Sequence, residues 1–215
     1  MVYLPIGILK KWDDDVVGRR EVTYYCSLLL VMILNQLSQK LVANGTIGMM
    51  LPLLIVVGGV LLPKLLLKES LWRPKSEIIN APAGYGLLAG LVIAFGVDNL
   101  IDSKLGWALQ GGFVSFLFSL SLVLIFSLLF AQIEVSACLM LLSPDRQFSV
   151  KALLLTAAGW LLPCLVVGWM QQNLSVVWVQ LIVWAVASFG MRMFGKSSFA
   201  VGVVTAFTAF MLVAP

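Results

Sequence analysis

The chain alternates long apolar runs with short polar stretches, and the apolar runs are continuous, without the in-out alternation of a half-buried strand. Seven runs are long enough, or nearly so, for a transmembrane helix of about 20 apolar residues. They cover 24–43, 47–67, 83–101, 111–131, 152–170, 174–191 and 199–214, and the fourth remains apolar as far as 142. The first carries Asn35, Gln36, Gln39 and Lys40, and the last is short. Continuous runs exclude a transmembrane β-barrel, whose strands alternate lipid-facing and lumen-facing residues. The expected fold class is therefore all-α, a polytopic transmembrane helical bundle forming one domain over 1–215.

The polar stretches orient this bundle. Cytoplasmic loops collect Lys and Arg. With the N-terminus inside, the inner segments hold Lys10, Lys11, Arg19 and Arg20, then Lys64, Lys68, Arg73 and Lys75, then Arg146 and Lys151, then Arg192 and Lys196. The outer side receives only Lys40 and Lys104. Omitting a middle span destroys this alternation, so the pattern predicts seven crossings, N-terminus inside and C-terminus outside. The apolar run at 2–9 is short and precedes its positive charges, unlike a cleavable signal. It is expected to lie in the inner interface or to dock into a partner, with Asp13, Asp14 and Asp15 in a solvated loop.

Composition agrees. Of 215 residues, 61% are hydrophobic and 11% charged, with mean hydropathy +1.03, whereas soluble domains carry about 25% charged residues. That excludes a disordered chain and a disulfide-stapled secreted domain. With no histidine, histidine-ligated zinc or haem and a Ser-His-Asp triad each lack a required part. Cys26, Cys138 and Cys164 stand apart in apolar runs and read as small packing residues. The basic residues are dispersed over several juxtamembrane loops, which orientation already explains, so nucleic acid is not an expected partner. No catalytic residue, metal site or cofactor is expected. The expected surroundings are the lipid bilayer, with a membrane-protein partner or a homo-oligomer in addition. Helical spans place a bacterial chain of this kind in the inner, or plasma, membrane.

Helices in lipid associate through close backbone approach and interhelical hydrogen bonds. Gly86, Gly90 and Ala94 form a strip at four-residue spacing, as do Gly111, Ser115 and Ser119, and Gly202 with Ala206. These strips are expected to seat neighbouring helices, with a dimer seam as the alternative. Pro52, Pro63 and Pro163 fall inside spans and are expected to bend them. Trp107, Trp169 and Trp178 lie near the outer interface, where indoles anchor.

Ionisable groups within spans are costly and therefore candidates for a ligand or ion pathway. Glu134 falls in the apolar run 111–142, about 48 Å of helix and too long for one perpendicular crossing. Ser127, Ala131, Glu134 and Cys138 share one helical face. An exit near Ala131, the preferred reading, makes Glu134 interfacial; a continuing helix with that face inward buries it. Asp98 and Asp102, one turn apart, form Asp-Asn-x-x-Asp with Asn99. This resembles the magnesium-binding Asn-Asp-x-x-Asp pattern of intramembrane prenyltransferases, with the first two residues reversed and no second acidic motif; a hydrated interfacial pair is preferred. Gln180 and Trp184, one turn apart, are placed to grip a ligand or to close an interhelical hydrogen bond, the latter preferred. Trp160 lies deep, as core or lining.

Two stretches carry a family resemblance. Phe148-Ser149-Val150-Lys151-Ala152 leads into Gly159-Trp160-Leu161-Leu162-Pro163, followed by a tight turn at Gln171-Gln172-Asn173 and a connection at Gly195-Lys196-Ser197-Ser198. From Pro82 onward the chain resembles the Yip1 family of small membrane proteins, which has five spans and the same termini; the first two spans depart from it. The resemblance implies trafficking, membrane-organising or partner-binding roles without defined catalysis. The expected function is thus a non-enzymatic membrane subunit. A small transporter with a midplane cavity is the rival, and an intramembrane lipid-modifying enzyme comes third.

Overall fold

A computed structural model of the protein describes residues 18–41, 46–69, 80–97, 113–170 and 172–213. Among them are seven α-helices and no strand: α1 (Arg19–Leu41), α2 (Thr46–Leu66), α3 (Ala81–Val97), α4 (Phe113–Cys138), α5 (Val150–Met170), α6 (Ser175–Phe194) and α7 (Ser197–Val213). Each coincides with one of the seven apolar runs. Three are long and apolar enough to cross a membrane, over Phe116–Cys138, Val150–Trp169 and Ser175–Phe194; Met50–Leu66, Ala81–Val97 and Ser197–Val213 are shorter apolar helices.

Local chemistry sets several helix ends. Asn80 Oδ1 accepts the Ala83 backbone N–H (3.0 Å) at the start of α3, and the Ser198 hydroxyl donates to the same oxygen (2.9 Å), tying that cap to α7. Ser149 Oγ accepts the Ala152 N–H (3.4 Å) and caps α5, which gives the serine of the 148–152 stretch a structural task. Helix α6 stops at Gly195, where φ is +62°. The Lys196 N–H then donates to the Met191 carbonyl (3.2 Å), closing the left-handed cap that glycine adopts most readily.

Helix α4 is the hub, packing against α1, α2, α5 and α7, while α3 and α7 form the most extensive helix pair. The α3–α7 contact is built from the small residues. Facing Gly86 is the Phe199 carbonyl, facing Gly90 the Val203 carbonyl, and facing Gly202 the backbone of Ala83 and Leu87. The backbones approach so closely that a Cβ on any of the three meets main-chain atoms. Gly111, of the second expected strip, lies outside the described residues, as does the side chain of Ser115. Outward surfaces are strongly apolar: Val92, Phe95, Trp169, Trp178 and Phe189 are all highly exposed, Trp169 to 78%. An apolar exterior of this kind matches lipid as solvent.

Candidate functional site

The site grows from an arithmetic of missing donors. Proline lacks an N–H, so the carbonyl four residues earlier loses its helical partner. In α2 that carbonyl belongs to Gly59, ahead of Pro63, and in α5 to Gly159, ahead of Pro163. Both carbonyls find hydroxyls on α1. Ser27 Oγ donates to the Gly59 oxygen (2.7 Å) and Tyr25 Oη donates to the Gly159 oxygen (3.0 Å). Both α2 and α5 continue as helices past Pro63 and Pro163, and at those two prolines α1 supplies the missing donors. The signal was present in the sequence as a repeated Gly-x-Leu-Leu-Pro, at 59–63 and 159–163; what it lacked was the identity of the donors. Tyr25→Phe and Ser27→Ala are each expected to cost about 1 kcal/mol of bundle stability. Reversible unfolding in mixed micelles, compared with wild type, measures it.

Glu134 follows Ile133, the α4 residue that packs over Gly59. The helix does not end near Ala131: α4 runs on to Cys138, a short 3₁₀ turn follows at Met140–Leu142, and Leu139 and Leu142 are themselves fully buried. The interfacial placement of Glu134 is therefore corrected. The bundle still covers the chain for about one turn beyond Cys138, through Leu139 and Leu142, before it reaches the surface at Asp145. Ser127, Ala131, Glu134 and Cys138 are all buried, Glu134 to 6% exposure. Ile133 packs over Gly59, next to Val31 and Ser27, about two helical turns or ~10 Å from the end of α2. Cys138 and Cys164 lie within electrostatic reach of the Glu134 carboxyl, and Tyr25 lies within reach of both thiols.

The Trp160 indole N–H donates to Gln180 Oε1 (3.1 Å), joining α5 to α6, and Trp160 is 1% exposed. Gln180 thus pairs with Trp160 and not, across one turn, with Trp184, whose buried indole nitrogen has no hydrogen-bond partner among the described residues. A surface recess of about 390 Å³ at the α5–α6 turn is lined by Gly168, Trp169, Gln172 and Leu174, and by none of the candidate polar residues. Asp98 and Asp102 lie outside the described residues. Among the described residues no group of three acidic, cysteine or histidine side chains is placed to hold a metal.

A second polar cluster closes one end of the bundle. Glu21, at the start of α1, accepts the Gly18 backbone N–H (3.1 Å) and pairs with Arg146 from the α4–α5 connection. Arg20 pairs with Glu69 beyond α2 (2.7 Å), which also accepts the Tyr24 hydroxyl (2.9 Å). Arg192, near the end of α6, donates to the Ser143 and Arg146 carbonyls (3.5 and 3.4 Å) and lies 5.1 Å from the Phe148 ring centroid. In the sequence these cations signal only orientation; their acidic and carbonyl partners emerge from the fold.

Fold and site together define an all-helical bundle of membrane-protein character, with three helices able to span a bilayer. No family model, curated protein or solved structure matches the chain.

Proposed function

We propose that this chain is a multi-pass membrane protein with seven crossings, its N-terminus inside and C-terminus outside. We further propose that it is a non-enzymatic subunit that binds a partner or organises membrane. The threading is supported by the charged end of the bundle. Arg20, Arg146 and Arg192, from three separate inner segments of the positive-inside pattern, are linked there with Glu21 and Glu69. A single gathering of these segments is what seven alternating crossings produce.

The subunit reading rests on how the interior polar side chains are used. Tyr25, Ser27, Trp160 and Gln180 all bond to other helices, so they hold the bundle shut. The Yip1-like reading of the stretch from Pro82 onward fits the same role. One observation favours a small transporter instead: Glu134 is buried with no bonded partner among the described residues.

Reporter tags are expected to place the two termini in opposite compartments. In mild detergent, a subunit is expected to keep a partner at fixed stoichiometry, with reciprocal capture when that partner carries the tag, or to run as a homo-oligomer. Termini on one side reject the threading, and a lone monomer rejects the subunit role.

A further inference from the structure

Glu134 is the residue that the helix-packing account leaves unused. The residue is 6% exposed, and its carboxyl makes no hydrogen bond or ion pair with any described residue. The titratable groups around it come from three helices. From α1 there is Tyr25, whose hydroxyl is committed to the Gly159 carbonyl. From α4 itself there is Cys138. From α5 there is Cys164, whose thiol donates to the Trp160 carbonyl (3.2 Å). The charged residue of α2, Lys64, lies in its last turn, and α7 contains none. Asp145 and Arg146 belong to the α4–α5 connection at the bundle end, where Arg146 is taken by Glu21. Arg20 of α1 is taken by Glu69, and Lys151 sits in the first turn of α5, far along the helix from Cys164. Among the described residues no ion pair reaches the Glu134 carboxyl.

The geometry narrows what the carboxyl can bind. A metal ion requires several oxygen ligands, and no such group surrounds Glu134 among the described residues. An organic cation requires room beside the carboxyl, but the neighbours Ala131, Ile133 and Val135 are buried. A proton needs no cavity and only one carboxyl oxygen.

We propose that Glu134 is a proton-binding site whose occupancy controls the packing of α5 against α1 and α4. With its proton bound, the side chain is a neutral acid that the apolar interior tolerates. Without it, an unpaired carboxylate is left among hydrocarbon and must draw in water or a cation. The place for this to happen is Pro163, immediately before Cys164, where the α5 ladder is interrupted and one Tyr25 hydroxyl replaces the missing bond. The inference goes beyond the subunit reading and does not depend on a protein partner.

The test uses the purified full-length protein in detergent. Dicyclohexylcarbodiimide reacts with protonated carboxyls in apolar surroundings, and peptide mass mapping is expected to find its adduct on Glu134, with no adduct there from a water-soluble carbodiimide. In thermal unfolding at a series of pH values, the wild type is expected to lose stability as pH rises, because the folded protein holds a proton that the unfolded chain has released. The unfolding equilibrium shifts by up to about tenfold per pH unit where this difference is complete. Glu134→Gln lacks this slope, and Glu134→Met, apolar like its surroundings, is a second reference. No adduct from the hydrophobic reagent at any pH, or wild-type and variant stability profiles that run parallel, overturns the proposal.

Discussion

Gly90→Leu is expected to break the α3–α7 pair at a cost of about 3 kcal/mol or more, whereas Gly84→Leu on the same helix is expected to stay within about 0.5 kcal/mol of wild type. Both substitutions make α3 more apolar, so neither is penalised by the bilayer. They differ in what the new side chain meets. A Cβ at Gly90 runs into the Val203 carbonyl and lies 3.0 Å from the Ala206 methyl, while nothing lies within 4 Å of one at Gly84. A backbone carbonyl cannot swing aside like the end of a side chain, so the helices must separate. In lipid no hydrophobic gain offsets the lost contact, since hydrocarbon solvates the exposed faces equally well. Unfolding in mixed micelles, with membrane insertion of both variants checked first, measures the difference. Equal stabilities for the two variants are incompatible with this contact.

Arg146→Ala is expected to have the second-largest effect, about 2–3 kcal/mol. The Glu21 side chain is 5% exposed and Arg146 43%, so removing the guanidinium strands a buried carboxylate. The estimate falls below the range for a fully enclosed pair because Arg146 meets water. The Gly18 N–H retains its bond to the other Glu21 oxygen. Glu21→Gln combined with Arg146→Ala is expected to recover part of the loss, and a double-mutant cycle isolates the coupling. Arg20 and Glu69 provide the contrast. That pair is 54% and 28% exposed, so breaking it is expected to cost well under 1 kcal/mol. If Arg146→Ala behaves like Arg20→Ala, the clasp at Glu21 carries no special weight.

Much of this protein was legible before folding was considered. A helix cannot leave backbone groups unpaired in hydrocarbon, so run length and continuity placed the seven described helices to within about five residues, apart from the C-terminal end of α4. The spacing of Gly86, Gly90 and Gly202 marked surfaces for close contact, since a missing Cβ is a property of the chain itself. The pairing of those surfaces was not legible: α3 and α7 are separated by three intervening helices, and the partner of a flat face depends on how helices sort in three dimensions. Glu134 shows the same boundary. Its helical face could be read at 3.6 residues per turn, but its burial depended on whether α4 ended at Ala131 or continued to Cys138, and an apolar run has no internal stop signal.

By itself the amino-acid order determined the solvent, the helices, their small-residue faces and the prolines that would break two of them. These follow from each residue's own chemistry: its hydropathy, its Cβ or lack of one, its N–H or lack of one. Only the tertiary structure decided that Tyr25 and Ser27 supply the donors missing at Pro163 and Pro63, that Gln180 is taken by Trp160, and that Arg146 closes on Glu21. Each joins residues 20 or more positions apart, and such a bond exists only after the helices have been brought side by side.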